Sequence, residues 1–310
     1  MNPSIPRSRE RGQVLAIVAL GLVAIVAMTG LVLDGGSTFV QRRDMQNVAD
    51  AATMAGTYDY VNTKSPSSAV AAAKAAALAN GYTEGTDGVA IDVVVNEMAA
   101  ATTVQVSIRK PHRNHFSGIV GMPTWDVATT ATAIGGPPNT AIGAAPLIFN
   151  DDVFDLTDPY ALAWYGEPGT GTQDVPQGGG EFNWTIYCTA NGNPCNANSN
   201  GVKDLIVGTN LNGSEITLAD LIGPLNAGVH ADLFSALAAL VPATFPVAIV
   251  DDSGTFMGIA MYELTGSVGG STKQIQGRFL AGISSWQLRI DPNNTPGTSE
   301  FGAYTVYLID

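Results

Sequence analysis

Charge is scarce in this chain of 310 residues: Asp, Glu, Lys and Arg make up 13% of it, and only 14 residues are Lys or Arg. Those cations form no run that could track a phosphate backbone, and a net charge of −13 repels one, so nucleic-acid partners are excluded. Two cysteines are too few for a dense disulfide framework or a four-thiolate zinc site. Histidine occurs only at positions 112, 115 and 230. Gly-x-Ser-x-Gly, His-Glu-x-x-His and a Gly-Lys-Ser/Thr phosphate loop are all missing, which lowers the case for serine hydrolases, zinc peptidases and nucleotide hydrolases. No motif calls for a cofactor.

What the sequence does have is one long uncharged run. From Gly12 to Leu33 there are 22 consecutive residues without a charge. As a helix they would span roughly 33 Å, enough to cross a hydrocarbon core. Arg7, Arg9 and Arg11 precede the run, so the first 11 residues are expected inside the cytoplasm and the rest outside it; Arg42 and Arg43 weaken that bias without reversing it. A cleaved secretory signal is the alternative, with Ala27-Met28-Thr29 as the cut, but signals use shorter apolar regions and retention is the preferred reading. Prepilin-type processing is disfavoured, because the fifth residue after Gly12 is Ile17 where Glu is needed. Beyond the run the charge is lopsided: residues 114–310 hold 4 basic and 18 acidic groups.

Arg11-Gly12-Gln13, the apolar run, Asp34-Gly35-Gly36, Arg42-Arg43, Gln46-Asn47, Asp50-Ala51-Ala52 and Ala55-Gly56 occur in that order. Together they resemble the N-terminal region of TadG-like proteins of the tight-adherence (Flp pilus) system, most clearly over residues 11–60. The aromatic segment and Ala/Thr-rich strand in HFSGIVGMPTWDVATTATAIGG extend the resemblance to Gly136. The resemblance implies a membrane-anchored structural or assembly component of a Flp-type pilus or related secretion machine. It would act by protein–protein contacts, not as an enzyme, in a bacterial cytoplasmic membrane with other machine subunits as partners. The residues also speak for themselves. Met45, Val48, Ala49, Ala52 and Ala55 recur at helical spacing and form a small apolar stripe, while Arg43, Asn47 and Asp50 form a polar row on another face. That row is either solvated or an interaction surface, and small residues beside it permit close approach, including self-association.

The fold class expected is α+β: the transmembrane helix at 12–33 continues into a helix-plus-small-sheet stem at 34–136, then a linker at 137–148 and a β-rich exported domain at 149–310. Ser65-Pro66 starts a helix that stops at Asn80-Gly81. Val89–Asn96 and Thr103–Arg109 alternate as a hairpin, with a third strand at Asp126–Ile134. Gly135-Gly136-Pro137-Pro138 breaks the pattern. Further on, PVAIV and FMGIAMYEL form a hairpin through Asp251-Asp252-Ser253-Gly254, HADLFSALAAL is a helix, and IQGRFLAGI, SWQLRI and AYTVYLI are strands.

Three constellations remain. Cys188 and Cys195, exported and close in sequence, are expected to close a small disulfide loop. Asp251-x-Ser-x-Thr255 is similar to the metal loop of von Willebrand A domains, but the strands after it do not suit a doubly wound fold, so a hairpin turn is favoured. Asp151, Asp152, Asp155 and Asp158 lack EF-hand spacing and are read as a solvated turn. His112 and His115 flank Arg113 with no acidic cluster beside them, and no metal is assigned. The alternatives to assembly are a membrane-tethered hydrolase, whose carboxylates need meet only in space, and a calcium-dependent adhesin.

Overall fold

The computed structural model describes residues 11–309 apart from 100, 157, 168–175, 177, 186, 189–198, 208–214, 218–220, 223–230, 285–287 and 292–299. The class is α+β. The first helix, α1, runs unbroken over Arg11–Thr63, 53 residues, or about 80 Å of rod at 1.5 Å per residue. Its first half is bare: every large apolar side chain from Val14 to Leu33 is exposed. Its second half is covered, with Met45, Val48, Ala49, Ala52 and Val61 buried. The helix passes through Gly35 and Gly36 without interruption. Two glycines cost a helix about 1 kcal/mol each, but helical turns on both sides propagate through them once the packed half is fixed.

Helix α2, Pro66–Ala79, opens as its sequence demands, with Ser65 accepting a hydrogen bond from the Ser68 N–H and Pro66 at the first turn. It lies against α1 with Ala69, Ala73 and Ala77 inward. These small residues let the two backbones approach: a Cβ on Gly56 of α1 would stand 3.0 Å from the Ala69 carbonyl and 3.1 Å from the Ala73 methyl. Under the helices lies an antiparallel sheet of β1 (Ala90–Glu97), β2 (Thr102–Arg113) and β3 (Thr124–Gly136). Val104, Val106, Ile108, Val127 and Ala131 face the helical stripe and complete one core.

A second sheet has six strands in the spatial order Ala163–Gly166, Gln274–Leu280, Phe256–Val268, Ala243–Val250, Leu147–Asn150 and Phe182–Trp184. All neighbours are antiparallel except Ala243–Val250 and Leu147–Asn150, which run parallel. Its interior is aromatic. The Phe149 ring lies 5.0 Å from Tyr262, 5.1 Å from Phe279 and 5.2 Å from Tyr165, in tilted and edge-on contacts. The helices Ser199–Val207 and Ala231–Ala238 contribute Val202, Ile206, Leu233, Phe234 and Leu237 to the same core.

The expected hairpin at residues 251–254 is present as an antiparallel pair. One strand is not where the sequence grouped it. The segment AYTVYLI, assigned with the β-rich region at 149–310, pairs as Ala303–Ile309 with β3, Thr305 opposite Gly136 and Ile309 opposite Thr132. Its alternation fits either sheet, and pairing across so long a separation leaves no local mark. The β-rich region is therefore inserted between two neighbouring strands of the first sheet.

Candidate functional site

The region that joins the bare and the covered halves of α1 is where polar chemistry concentrates. Asp34 follows directly on the apolar run, yet it is only 1% exposed. Its carboxylate accepts three backbone N–H groups from the connection between β2 and β3: His115 at 2.9 Å, Phe116 at 3.0 Å and Ser117 at 2.6 Å. These amides open a short 3-10 turn, Ser117–Val120, whose own cap offers no side-chain acceptor. Asp34 thus caps that turn from another element. Burial pushes its carboxyl up, but the bonds from Ser117, His115 and Phe116 outweigh burial and hold it at about 2.

Further along α1 the stapling continues. Gln41 donates to the Lys110 carbonyl at 3.1 Å, which turns its amide oxygen toward His112 Nδ1 at 2.7 Å, and His112 Nε2 meets Ser37 Oγ at 3.0 Å. Asp44 accepts from the Tyr82 hydroxyl at 2.7 Å; burial, and then this bond and the Asp44 charge, raise that phenol. Gln46 binds Thr129, and Thr53 donates to the Ala131 carbonyl at 3.2 Å. One face of α1 is locked to β2 and β3 from Asp34 to Thr53.

The polar row expected on α1 divides. Arg43 and Asn47 are exposed. Asp50 is part-buried, accepts from Gln46 Nε2 at 2.8 Å, and lines a groove shared with Thr130, Leu308 and Ile309. Cys195 and the side chain of Cys188 lie outside the described residues, and so does the loop they were expected to close. The two nearby histidines separate: His112 faces α1, whereas His115 offers its backbone to Asp34. Asp251 acts as a turn acceptor, taking bonds from Ser253 Oγ at 2.7 Å and the N–H groups of Ser253 and Thr255 at 2.9 Å and 2.8 Å. Burial, and then Asp152, Asp251 and Asp252 nearby, raise the Asp151 carboxyl. Among the described residues no group of three or more His, Cys, Asp or Glu could hold a metal ion.

Sequence reasoning flagged Asp34-Gly35-Gly36 as a motif but not its partner. The signal available was an Asp at the end of an apolar run, a costly place for a charge unless something compensates it.

These features define a class: among the described residues, one N-terminal helix is long and apolar enough to span a membrane, and its second half is clamped to an α+β body. Residues 12–59, which lie within this helix, match the family Tad, described as "Putative Flp pilus-assembly TadE/G-like". The matched residues end within α1, and the extension of the likeness to Gly136 lies beyond them. No curated protein and no solved structure matches the chain.

Proposed function

We propose that this protein is a single-pass, membrane-anchored assembly component of a Flp-type pilus, with its N-terminus inside, its body outside the cytoplasm, and protein–protein contact rather than catalysis as its activity. The observation that carries this is the family match over 12–59, which covers both the bare and the clamped parts of one helix. The clamp uses one face of α1 for the protein's own sheet and leaves Arg43 and Asn47 outward. In this reading those two residues, with Asp50 at the neighbouring groove, meet another subunit. Affinity purification from membranes tests it: the intact chain should bring down pilus-machine subunits, and Arg43→Ala with Asn47→Ala should lower their recovery several-fold. Recovery of the same subunits at wild-type level would remove the docking role, and recovery of none from the intact chain would remove the assembly role.

A further inference from the structure

We propose that the connection between β2 and β3 is a second membrane contact, a foot that enters the outer leaflet beside α1 and takes lipid acyl chains. The proposal rests on α1 being the membrane anchor. Phe116 sits directly on Gly30: a Cβ there would stand 2.6 Å from Phe116 Cβ and 2.8 Å from Cγ. Gly30 is three residues inside the apolar run, about 4.5 Å below its end at 1.5 Å per residue. The connection therefore reaches the depth of the hydrocarbon edge. There it presents apolar side chains to the outside, with Phe116 40%, Met122 52% and Ile119 83% exposed. Because Phe116 rests on the bare half of α1, these groups adjoin its apolar surface, as an interfacial segment requires.

Its backbone is prepared for such a setting, because polar groups entering hydrocarbon must be satisfied internally. The N–H groups of His115, Phe116 and Ser117 go to Asp34. Those of Asn114, Ile119, Gly121 and Met122 go to the carbonyls of Pro123, Phe116, Gly118 and Ser117. The Asn114 side chain caps the Met122 carbonyl at 2.9 Å. The charges fall at the right height. Arg113 on the strand and Arg42 on α1 are exposed on the body side of the foot, at the level where headgroup phosphates would lie. Phe39 and Val40, also exposed, occupy the interface level on α1 itself.

The test uses the full chain in nanodiscs containing phosphatidylglycerol. Nitroxides are placed at Ile119→Cys, at Val23→Cys in the apolar run and at Tyr58→Cys as a water-side control, each in a Cys188→Ser, Cys195→Ser background. Ile119 should resemble Val23, more accessible to oxygen than to a nickel chelate. If Val23 reports lipid while Ile119 matches Tyr58, the foot is wrong and the anchor stands. If Ile119 is shielded from both reagents, a protein surface covers it and the foot is wrong. If Val23 reports water, the anchor fails and the foot with it. Diazirine lipid added to the unsubstituted chain gives an independent measure: adducts between Phe116 and Met122 are expected, and adducts confined to α1 would overturn the proposal.

Discussion

Gly135 stands where α1 crosses β3, and adding one methyl group there should be felt across the whole first core. A Cβ on Gly135 would lie 2.6 Å from Thr57 Cγ2, 2.9 Å from Val61 Cγ2 and 3.3 Å from Val306 Cγ2. Thr57 and Val61 are buried, so neither can swing aside into solvent. Overpacking a core costs about 1–3 kcal/mol, about 2–3 kcal/mol for an approach as close as 2.6 Å, and removing a strand glycine returns about 0.5–1 kcal/mol, so Gly135→Ala should cost about 1–2.5 kcal/mol net. At roughly 2–4 °C per kcal/mol, the melting temperature of the full chain in detergent should fall by about 2–10 °C. The closest contact names its own remedy. Thr57→Ser deletes the offending methyl but keeps the hydroxyl that donates to the Thr53 carbonyl at 2.8 Å. The double variant should therefore be more stable than the sum of the two single changes predicts, by about 0.5–1 kcal/mol of coupling. If Gly135→Ala leaves the melting temperature unchanged, or the two changes simply add, α1 does not press on β3 at this point.

The remaining expectations address other parts of the molecule. The Asp34 carboxyl, lowered from 3.8 to about 2, stabilises the folded connection fully above pH 4 and loses that contribution as pH falls toward 2. Amide exchange at His115, Phe116 and Ser117 should be slow at pH 5 and lose its protection only near pH 2; release centred at pH 4 or above would contradict the clamp. Gly36→Ala meets nothing within 4 Å inside α1 and should raise helix stability by about 0.5–1 kcal/mol; a loss in thermal unfolding would argue for a bend at that point. Phe149→Ala should cost about 3–5 kcal/mol, because the Phe149 ring contacts Tyr165, Tyr262 and Phe279; denaturant unfolding within 1 kcal/mol of wild type would refute its central place.

Local rules carried the sequence reading wherever a feature is local. Ser65-Pro66 and Asn80-Gly81 bound α2 because capping involves residues within one turn of each other. Asp251 through Gly254 turn a hairpin because one side chain can satisfy amides two and four residues on. The apolar stripe from Met45 to Ala52 found its sheet because helical spacing needs no knowledge of the partner. The clamp at Asp34 was hidden for the opposite reason: its donors lie more than 80 residues away, and amides carry no sequence signature. The polar row was legible as a row, but only coordinates separate exposed Asn47 from Asp50, which is tied to Gln46. The return of Ala303–Ile309 to β3 was likewise beyond local inference.

That return sets the direction of the strand Ala303–Ile309. The strand runs antiparallel to β3, bringing Ile309 opposite Thr132, close to the level at which Gln46 of α1 touches Thr130. Gln46 is 13 residues past the apolar run, about 20 Å along the rod. If α1 crosses a membrane, a label at Ile309 therefore reports from nearer the bilayer than one at Thr305, which stands opposite Gly136 at the far end of β3.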